Sequence, residues 1–560
     1  MLVKFKVKNE IKKLEKRYDI SIHYQKISFT SYSVLSIEEL SLIGNHSPDT
    51  LLSMKAFQAK VRYFNNHWFK IGIKDIQLDQ LFINIVQKEN YSNYSFLHKK
   101  RNKTIEKRSE KRSKVEKINR FLAVFKDYFP QHLSSNTILI RSQLDSVETS
   151  LRIDSIMIAD KKLQGNGFMT SNRFLSSAQV DFLLDLNDLS KEVNGLYCNA
   201  KVRNCKMEDP KIWKTAVTFD SIGLALHIKV DEHRIEVDST SLLQLNDFAV
   251  HPYACWEEHN NKRLLIRFNE RDLSVEKFTK AVPKGVFSVI PDLNVKGNVH
   301  FSLLFDCNFD QIDSLQFDFN IQKSSFYLAG QTGAYFTKYN YPFDYQVYEN
   351  GQIIRTIRIG SENSNFCPFT KIPRELTNSL LISEDPSFFQ HRGILVSAIR
   401  ASMITNLHKH KFARGGSTIS MQIVKNLFLS KNKIISRKIE ELCLVWLIEN
   451  NQLIGKERLF EIYVNIIEWA PGIYGVKEAA RFYFDKRPEQ LTLPESVYLA
   501  TLVRAPKHYA NTVDESGRIR DFRQNEMRFL VQKMLEKGMI SQTEYDTFDP
   551  GISIVLKGSQ

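Results

Sequence analysis

No stretch of the 560 residues reaches the roughly 18 apolar positions that a membrane-spanning helix requires, so a multi-span membrane protein is excluded. The opening MLVKFKVKNEIKKLEKRYD lacks the apolar core of a secretory signal, and read literally the chain stays in the cytosol. The six cysteines (Cys198, Cys205, Cys255, Cys307, Cys367, Cys443) form no C-x2-C pair and have no histidine at ligand spacing, which removes zinc ribbons and thioredoxin-like redox motifs. Cys198 and Cys205 could close a short disulfide loop in an oxidising compartment; two reduced thiols is the simpler expectation, and Cys443 reads as core of a helix. No G-x4-G-K-[ST] loop is present, which excludes a Walker-type nucleotide site. Wholesale disorder is excluded too, because 42% hydrophobic and 25% charged residues is a globular composition.

What is present is length and positive charge. At roughly 100 to 200 residues per domain, the chain holds three or four domains or two large ones. Lys+Arg 78 against Asp+Glu 63 leaves +15, which favours an acidic partner such as nucleic acid, anionic lipid or pyrophosphate without choosing among them.

Short alternating patterns fill the first 340 residues. Phe69, Ile71 and Ile73 repeat at period two, then after a slip Ile76 and Leu78, then Leu81, Ile83 and Ile85, as in half-buried antiparallel strands. Between Lys99 and Lys117 ten Lys/Arg face three Glu, and a helix-like stripe starts at Ile118, Phe121, Leu122 and Phe125. That run suits anionic lipid headgroups or a solvated linker. Strands resume at 137–141, 180–184, 222–230, 264–268 and 299–305. After about Phe343 helical periodicity and dense polar motifs take over.

Four motifs carry the chemistry. In Glu384-Asp385-Pro386-Ser387-Phe388-Phe389-Gln390-His391, a helix would place Glu384, Phe388 and His391 on one face at i, i+4 and i+7. In Gly415-Gly416-Ser417-Thr418-Ile419-Ser420-Met421-Gln422-Ile423-Val424-Lys425-Asn426, a glycine pair opens a helix, with Thr418, Gln422 and Lys425 on one stripe suited to an anionic, oxygen-rich ligand. Arg437-Lys438-Ile439-Glu440-Glu441 offers either a surface i, i+4 ion pair or a phosphate-binding arginine. Lys456 to Asn465, followed by the loop to Val476, reads mainly as core.

Together, in this order, these motifs resemble glycosyltransferase family 51, the peptidoglycan glycosyltransferases that polymerise lipid II, whose hallmarks are E-D-x-x-F-x-x-H-x-G, G-x-S-T-I-x-x-Q-x-x-K-N and R-K-x-x-E. The segment EWAPGIYGVKEAARFYF looks most like the monofunctional members. Met421 and Ala470 depart from common family residues at positions that carry no chemistry. The S-x-x-K at Ser430 to Lys433 lies inside the transferase region, and no transpeptidase is expected. Separately, residues 27–44 and 51–86 resemble the opening of AsmA-like proteins in strand rhythm.

These resemblances imply an α+β chain: an elongated antiparallel AsmA-like region over 1–340 with a basic helical insertion near 99–133, then a mainly helical, lysozyme-like transferase domain over 345–550. The implied catalytic residues are Glu384, as general base, and Glu441. Asp385, Phe388, His391, Ser417, Thr418, Gln422, Lys425, Asn426, Arg437 and Lys438 are implied at the substrate, with Phe388 as packing. No cofactor is required, although Glu441 could organise Mg2+. Expected partners are lipid II, the growing glycan strand, an anionic membrane surface and other cell-wall synthesis proteins, not nucleic acid. The implied location is the periplasmic face of a bacterial inner membrane, which conflicts with the missing anchor unless one lies upstream of Met1. A lysozyme-like hydrolase would also use one helical glutamate but has no use for Lys425 and Arg437; a non-catalytic envelope scaffold is the other alternative.

Overall fold

The structure, a computed structural model, describes residues 2–30, 34–45, 47–63, 71–89, 91–94, 113, 115–116, 118–119, 122, 130–172, 176–185, 194–208, 216–259, 261–349, 351–429 and 435–554. Two compact units emerge, one of 1–291 with 297–326 and one of 292–296 with 327–560. The mixture of a strand-rich N-terminal region and a helical C-terminal region is the α+β composition expected.

The first unit opens with helix α1 (Leu2–Tyr18) and continues as one 20-stranded sheet, interrupted by the short helix α2 (Val275–Ala281). Hairpin follows hairpin, antiparallel from Val34–Gly44 to Ile71–Lys88 and again from Val147–Ala159 to Val217–Val230. One junction departs from the antiparallel expectation. Ile71–Lys88 pairs in parallel with His132–Ser135 and Ile138–Leu144, because the connection between them is long enough to carry the chain back to the starting edge. That connection contains the basic run. Most of it, including the cations at 99–112 and the aromatic stripe at 121 and 125, lies outside the described residues. Its described part is not a free solvated face, since Val115 is fully buried and its N–H donates to Glu258 at 3.4 Å. Apolar packing is thin, with small clusters such as Leu81, Ile138 and Ile153. Cys198 and Cys205 share the strand Asn194–Met207, so seven residues of extended chain, roughly 20 Å, separate them and no disulfide can form.

The second unit comprises α3 (Thr332–Thr337), α4 (Arg374–Glu384), α5 (Val396–Lys409), α6 (Ile419–Phe428), α7 (Ile435–Asn450), α8 (Lys456–Ile466), α9 (Val476–Phe484), α10 (Leu493–Leu502), α11 (Asp521–Glu536) and α12 (Gln542–Asp546). Residues 327–340 belong here rather than to the sheet: Phe336 is fully buried, and Phe336 and Tyr339 stack edge-on to Phe428 at 5.4 and 5.1 Å. Helices do not begin at Phe343 either. A hairpin of Phe343–Glu349 and Gln352–Ile359 comes first, because Tyr345, Val347, Ile357 and Ile359 alternate inward and Gly351 supplies the turn at φ +83°. Helix α10, apolar on nearly every side, is buried from Glu495 to Leu502 and forms the centre of the unit. It starts at a capping box in which Thr492 and Glu495 satisfy each other's backbone N–H.

Candidate active site

Leu376, Leu380 and Leu381 anchor one face of α4 in the core and carry Glu384 at its last residue. The helix stops there because the residue before a proline avoids the α region; Asp385, preceding Pro386, has φ −161° and ψ 80°. The single face of Glu384, Phe388 and His391 expected from a continuous helix is therefore not formed. The side chain of Glu384 is only 10% exposed. Its Oε1 accepts from Ser383 Oγ at 3.2 Å and Arg504 Nε at 3.0 Å, and its Oε2 accepts from Gln422 Nε2 at 2.9 Å.

Asp385 turns away into the protein. It is buried, accepts from the Ile419 backbone N–H at 3.2 Å, and faces His391 Nε2 at 2.8 and 2.9 Å. Because His391 Nδ1 accepts from the Gly393 N–H at 2.9 Å, the network assigns the imidazole proton to Nε2, pointing at Asp385. Asp385 and His391 thus brace the turn against the N-terminus of α6. Phe388 is completely buried beneath the Lys456 ammonium, 4.3 Å from its ring centre, as a packing residue.

Thr418 caps α6. Its Oγ1 accepts from the Met421 N–H at 3.2 Å and donates to the Gly393 carbonyl at 2.6 Å, and at 2% exposure it orders the loop. A Cβ on Gly416 would lie 2.9 Å from Ile399 Cα, so only glycine lets this loop approach α5. Gln422, Lys425 and Asn426 are half-buried along α6. Behind Gln422 the Tyr463 hydroxyl lies 3.5 Å from its Oε1; burial, reinforced by the charge of Glu384, holds the Tyr463 phenol well above its ordinary pKa, so it stays a donor.

Helix α7 adds the cations. Glu441, 2% exposed, receives Lys438 Nζ at 2.6 Å on Oε1 and Arg437 at 3.3 Å on Oε2, while Lys438 also donates to Ser417 Oγ at 2.8 Å. Arg437 Nε is buried without a hydrogen-bond partner among the described residues. Both oxygens of Glu441 are taken by cations, and no group of three His, Cys, Asp or Glu able to hold a metal occurs among the described residues. With both oxygens occupied, Glu441 serves Lys438 and Arg437 here rather than standing as an open carboxylate.

Three further residues shape the site without having been singled out from sequence. Asn465 exchanges hydrogen bonds with both backbone groups of Cys367, at 2.9 and 2.8 Å, and burial pushes the Cys367 thiol up to about 12. Buried Glu449 accepts from Lys456 at 2.7 Å and from Ser420. Arg504, from the segment LVRAP, holds the candidate base.

A nearly buried carboxylate, with each oxygen fixed by a donor, and a group of cations along the adjoining helices are the parts that acid–base chemistry beside an anionic group requires. The transglycosylase family profile matches residues 350–534. The chain is 40% identical over 183 residues to a Cupriavidus necator protein named as a transglycosylase, covering 32% of this chain and 75% of that one. It is also 40% identical over 149 residues to a biosynthetic peptidoglycan transglycosylase of Paraburkholderia xenovorans, covering 27% of this chain and spanning 61% of that relative's length. A solved structure, penicillin-binding protein 1A from Haemophilus influenzae, aligns at 20% identity and TM-score 0.18 over 38% of this chain and 21% of that one, too slight a likeness to inform the fold. The chain belongs to the transglycosylase family.

Proposed function

We propose that this protein is a peptidoglycan glycosyltransferase that polymerises lipid II into uncrosslinked glycan strands. The observation that carries the reading is the nearly buried Glu384 held by Gln422 on α6, together with the cluster of Ser417, just before α6, with Lys438, Glu441 and Arg437 on α7. Glu384 takes the proton from the 4-hydroxyl of the acceptor GlcNAc as that oxygen attacks C1 of the donor MurNAc. The new C1–O4 bond forms with inversion while the bond from C1 to the phosphate oxygen breaks. The electron pair leaves with undecaprenyl pyrophosphate, whose charge Lys425, Lys438 and Arg437 stabilise. A hydrolase would have no group for these cations to serve.

The acting place is an anionic membrane surface on the periplasmic side of a bacterial inner membrane. Within the catalytic unit, Phe412 is fully exposed, flanked by exposed Lys409, His410, Lys411 and Arg414, a combination that suits a headgroup boundary. The sheet unit we read as AsmA-like and lipid-contacting, supported by its hairpin-after-hairpin construction.

The test is polymerisation of lipid II by the purified full chain, read as uncrosslinked glycan and blocked by moenomycin, a phosphoglycolipid resembling the donor. Cleavage of preformed glycan without polymerisation would replace this reading with the hydrolase.

A further inference from the structure

The C-terminal ends of α4 and α10 lie side by side: Ser383 Oγ is 3.5 Å from the Ala500 carbonyl, and α10 is anchored by the fully buried Val497, Tyr498, Leu499 and Ala500. Two residues past α10, Arg504 turns back onto α4. Its Nε donates to Glu384 Oε1 at 3.0 Å, and one terminal nitrogen donates to the Ser383 carbonyl. That carbonyl is one of the acceptors that a helix end leaves without an intrahelical partner, and it sits at the negative end of the helix dipole. Arg504 therefore spans the backbone and the carboxylate at once, as a planar guanidinium can and an ammonium cannot.

The two oxygens of Glu384 are divided between two elements. Arg504 and Ser383 hold Oε1, and Gln422 on α6 holds Oε2 at 2.9 Å. A carboxylate gripped on both oxygens has its plane fixed, so its remaining lone pairs point in set directions. Arg504 is 59% exposed against 10% for Glu384, so water screens its charge and its contribution is orientation more than field.

We propose that Arg504 is a positioning residue for Glu384: it locks the carboxylate plane in which the base meets the acceptor hydroxyl. This rests on the reading of Glu384 as the general base. Arg504 does not itself take the proton, and its contacts are to Glu384 and to the backbone of Ser383. A misoriented base lowers turnover more than binding, because the acceptor still docks but its proton has no correctly placed lone pair.

The experiment uses the full chain with Arg504→Ala and Arg504→Lys. In steady-state lipid II polymerisation, Arg504→Ala should lose roughly 10- to 100-fold in kcat, the scale of a misplaced catalytic group. Its KM should stay within about twofold of wild type, and its thermal midpoint should be unchanged. Arg504→Lys, which keeps one donor, should recover part of the loss. Guanidinium ion at tens of millimolar should raise the rate of Arg504→Ala but not of wild type, and urea at the same concentration should do neither. A kcat near wild type, a KM rise with kcat intact, or a rate that guanidinium cannot raise would each overturn the assignment. Crystal structures of wild type and Arg504→Ala provide a readout independent of activity: Glu384 should leave its single orientation toward Gln422 in the variant. Wild type that fails on lipid II would sink the proposed reaction, whereas an undisturbed Glu384 in Arg504→Ala would sink only the positioning role.

Discussion

At the scale of single residues, Glu384 and Lys425 should separate chemistry from binding. Glu384→Gln removes the base while keeping the size of the side chain, so turnover should fall roughly 10²- to 10⁴-fold with moenomycin affinity nearly unchanged. Lys425→Ala should instead weaken moenomycin binding as well as turnover. Titration calorimetry with moenomycin beside the polymerisation assay checks both, and equal binding losses would contradict the assigned roles. Much of this site was legible because its residue types are dictated by the chemistry: a carboxylate, two adjacent cations and a glycine-led helix start stand close together in sequence. Arg504 was not, because it is 120 residues from Glu384 and its partner depends on where α10 ends. Asn465 escaped for the opposite reason, since an amide inside an apolar helical stripe reads as core until its partner backbone at Cys367 is known.

At the scale of elements, the phase of the apolar pattern carried more information than its strength. The slip between Ile73 and Ile76 is a β-bulge: Val61 pairs with Ile73 and Lys60 with Asp75, leaving Lys74 over. The second slip, between Leu78 and Leu81, coincides with Gln80, whose φ of +51° resets the alternation. What sequence could not reveal is the parallel junction, because alternation marks a strand and not the direction of its neighbour. Helix α6 gives an element-level prediction. Thr418→Ala removes the cap and the bond to the Gly393 carbonyl and should cost about 1 kcal/mol, with a range of about 0.5 to 2. Thr418→Ser should restore most of it; thermal or urea unfolding measures the difference, and an unchanged midpoint in Thr418→Ala would refute the capping role. In the sheet, Asp306 accepts from Arg263 Nε at 2.7 Å and from a terminal nitrogen at 2.6 Å across adjacent strands, and this pairing holds its carboxyl below the usual range. A depressed folded-state pKa stabilises above the unfolded value of about 4, and the gain is lost as pH falls through the folded one. Urea midpoints of wild type should therefore exceed those of Asp306→Asn at pH 7, and the gap should narrow steadily below about pH 4. A gap independent of pH would assign the loss to packing.

At the scale of the whole molecule, the proposed membrane contact of this +15 chain has two candidate sites. One is the basic run of the sheet unit, the other the loop around Phe412 in the catalytic unit. The two make different predictions for a variant lacking residues 1–326, which keeps the helices, the hairpin and the Phe336 and Tyr339 contacts of the second unit but loses the short strand Val295–Lys296. If the sheet unit presents the enzyme to lipid, this variant should float less with anionic liposomes while polymerising detergent-dispersed lipid II at close to the full-chain rate. The lost part should be the salt-sensitive part, because exposed charges are screened beyond roughly 10 Å at 0.1 M ionic strength. The loop has an apolar tip, so its share should survive salt and disappear in Phe412→Asp. Flotation of the full chain, the truncation and Phe412→Asp at two salt concentrations decides between them. Equal flotation of the full chain and the truncation, with Phe412→Asp alone impaired, would place membrane contact in the catalytic unit and leave the basic run as a connection between parallel strands.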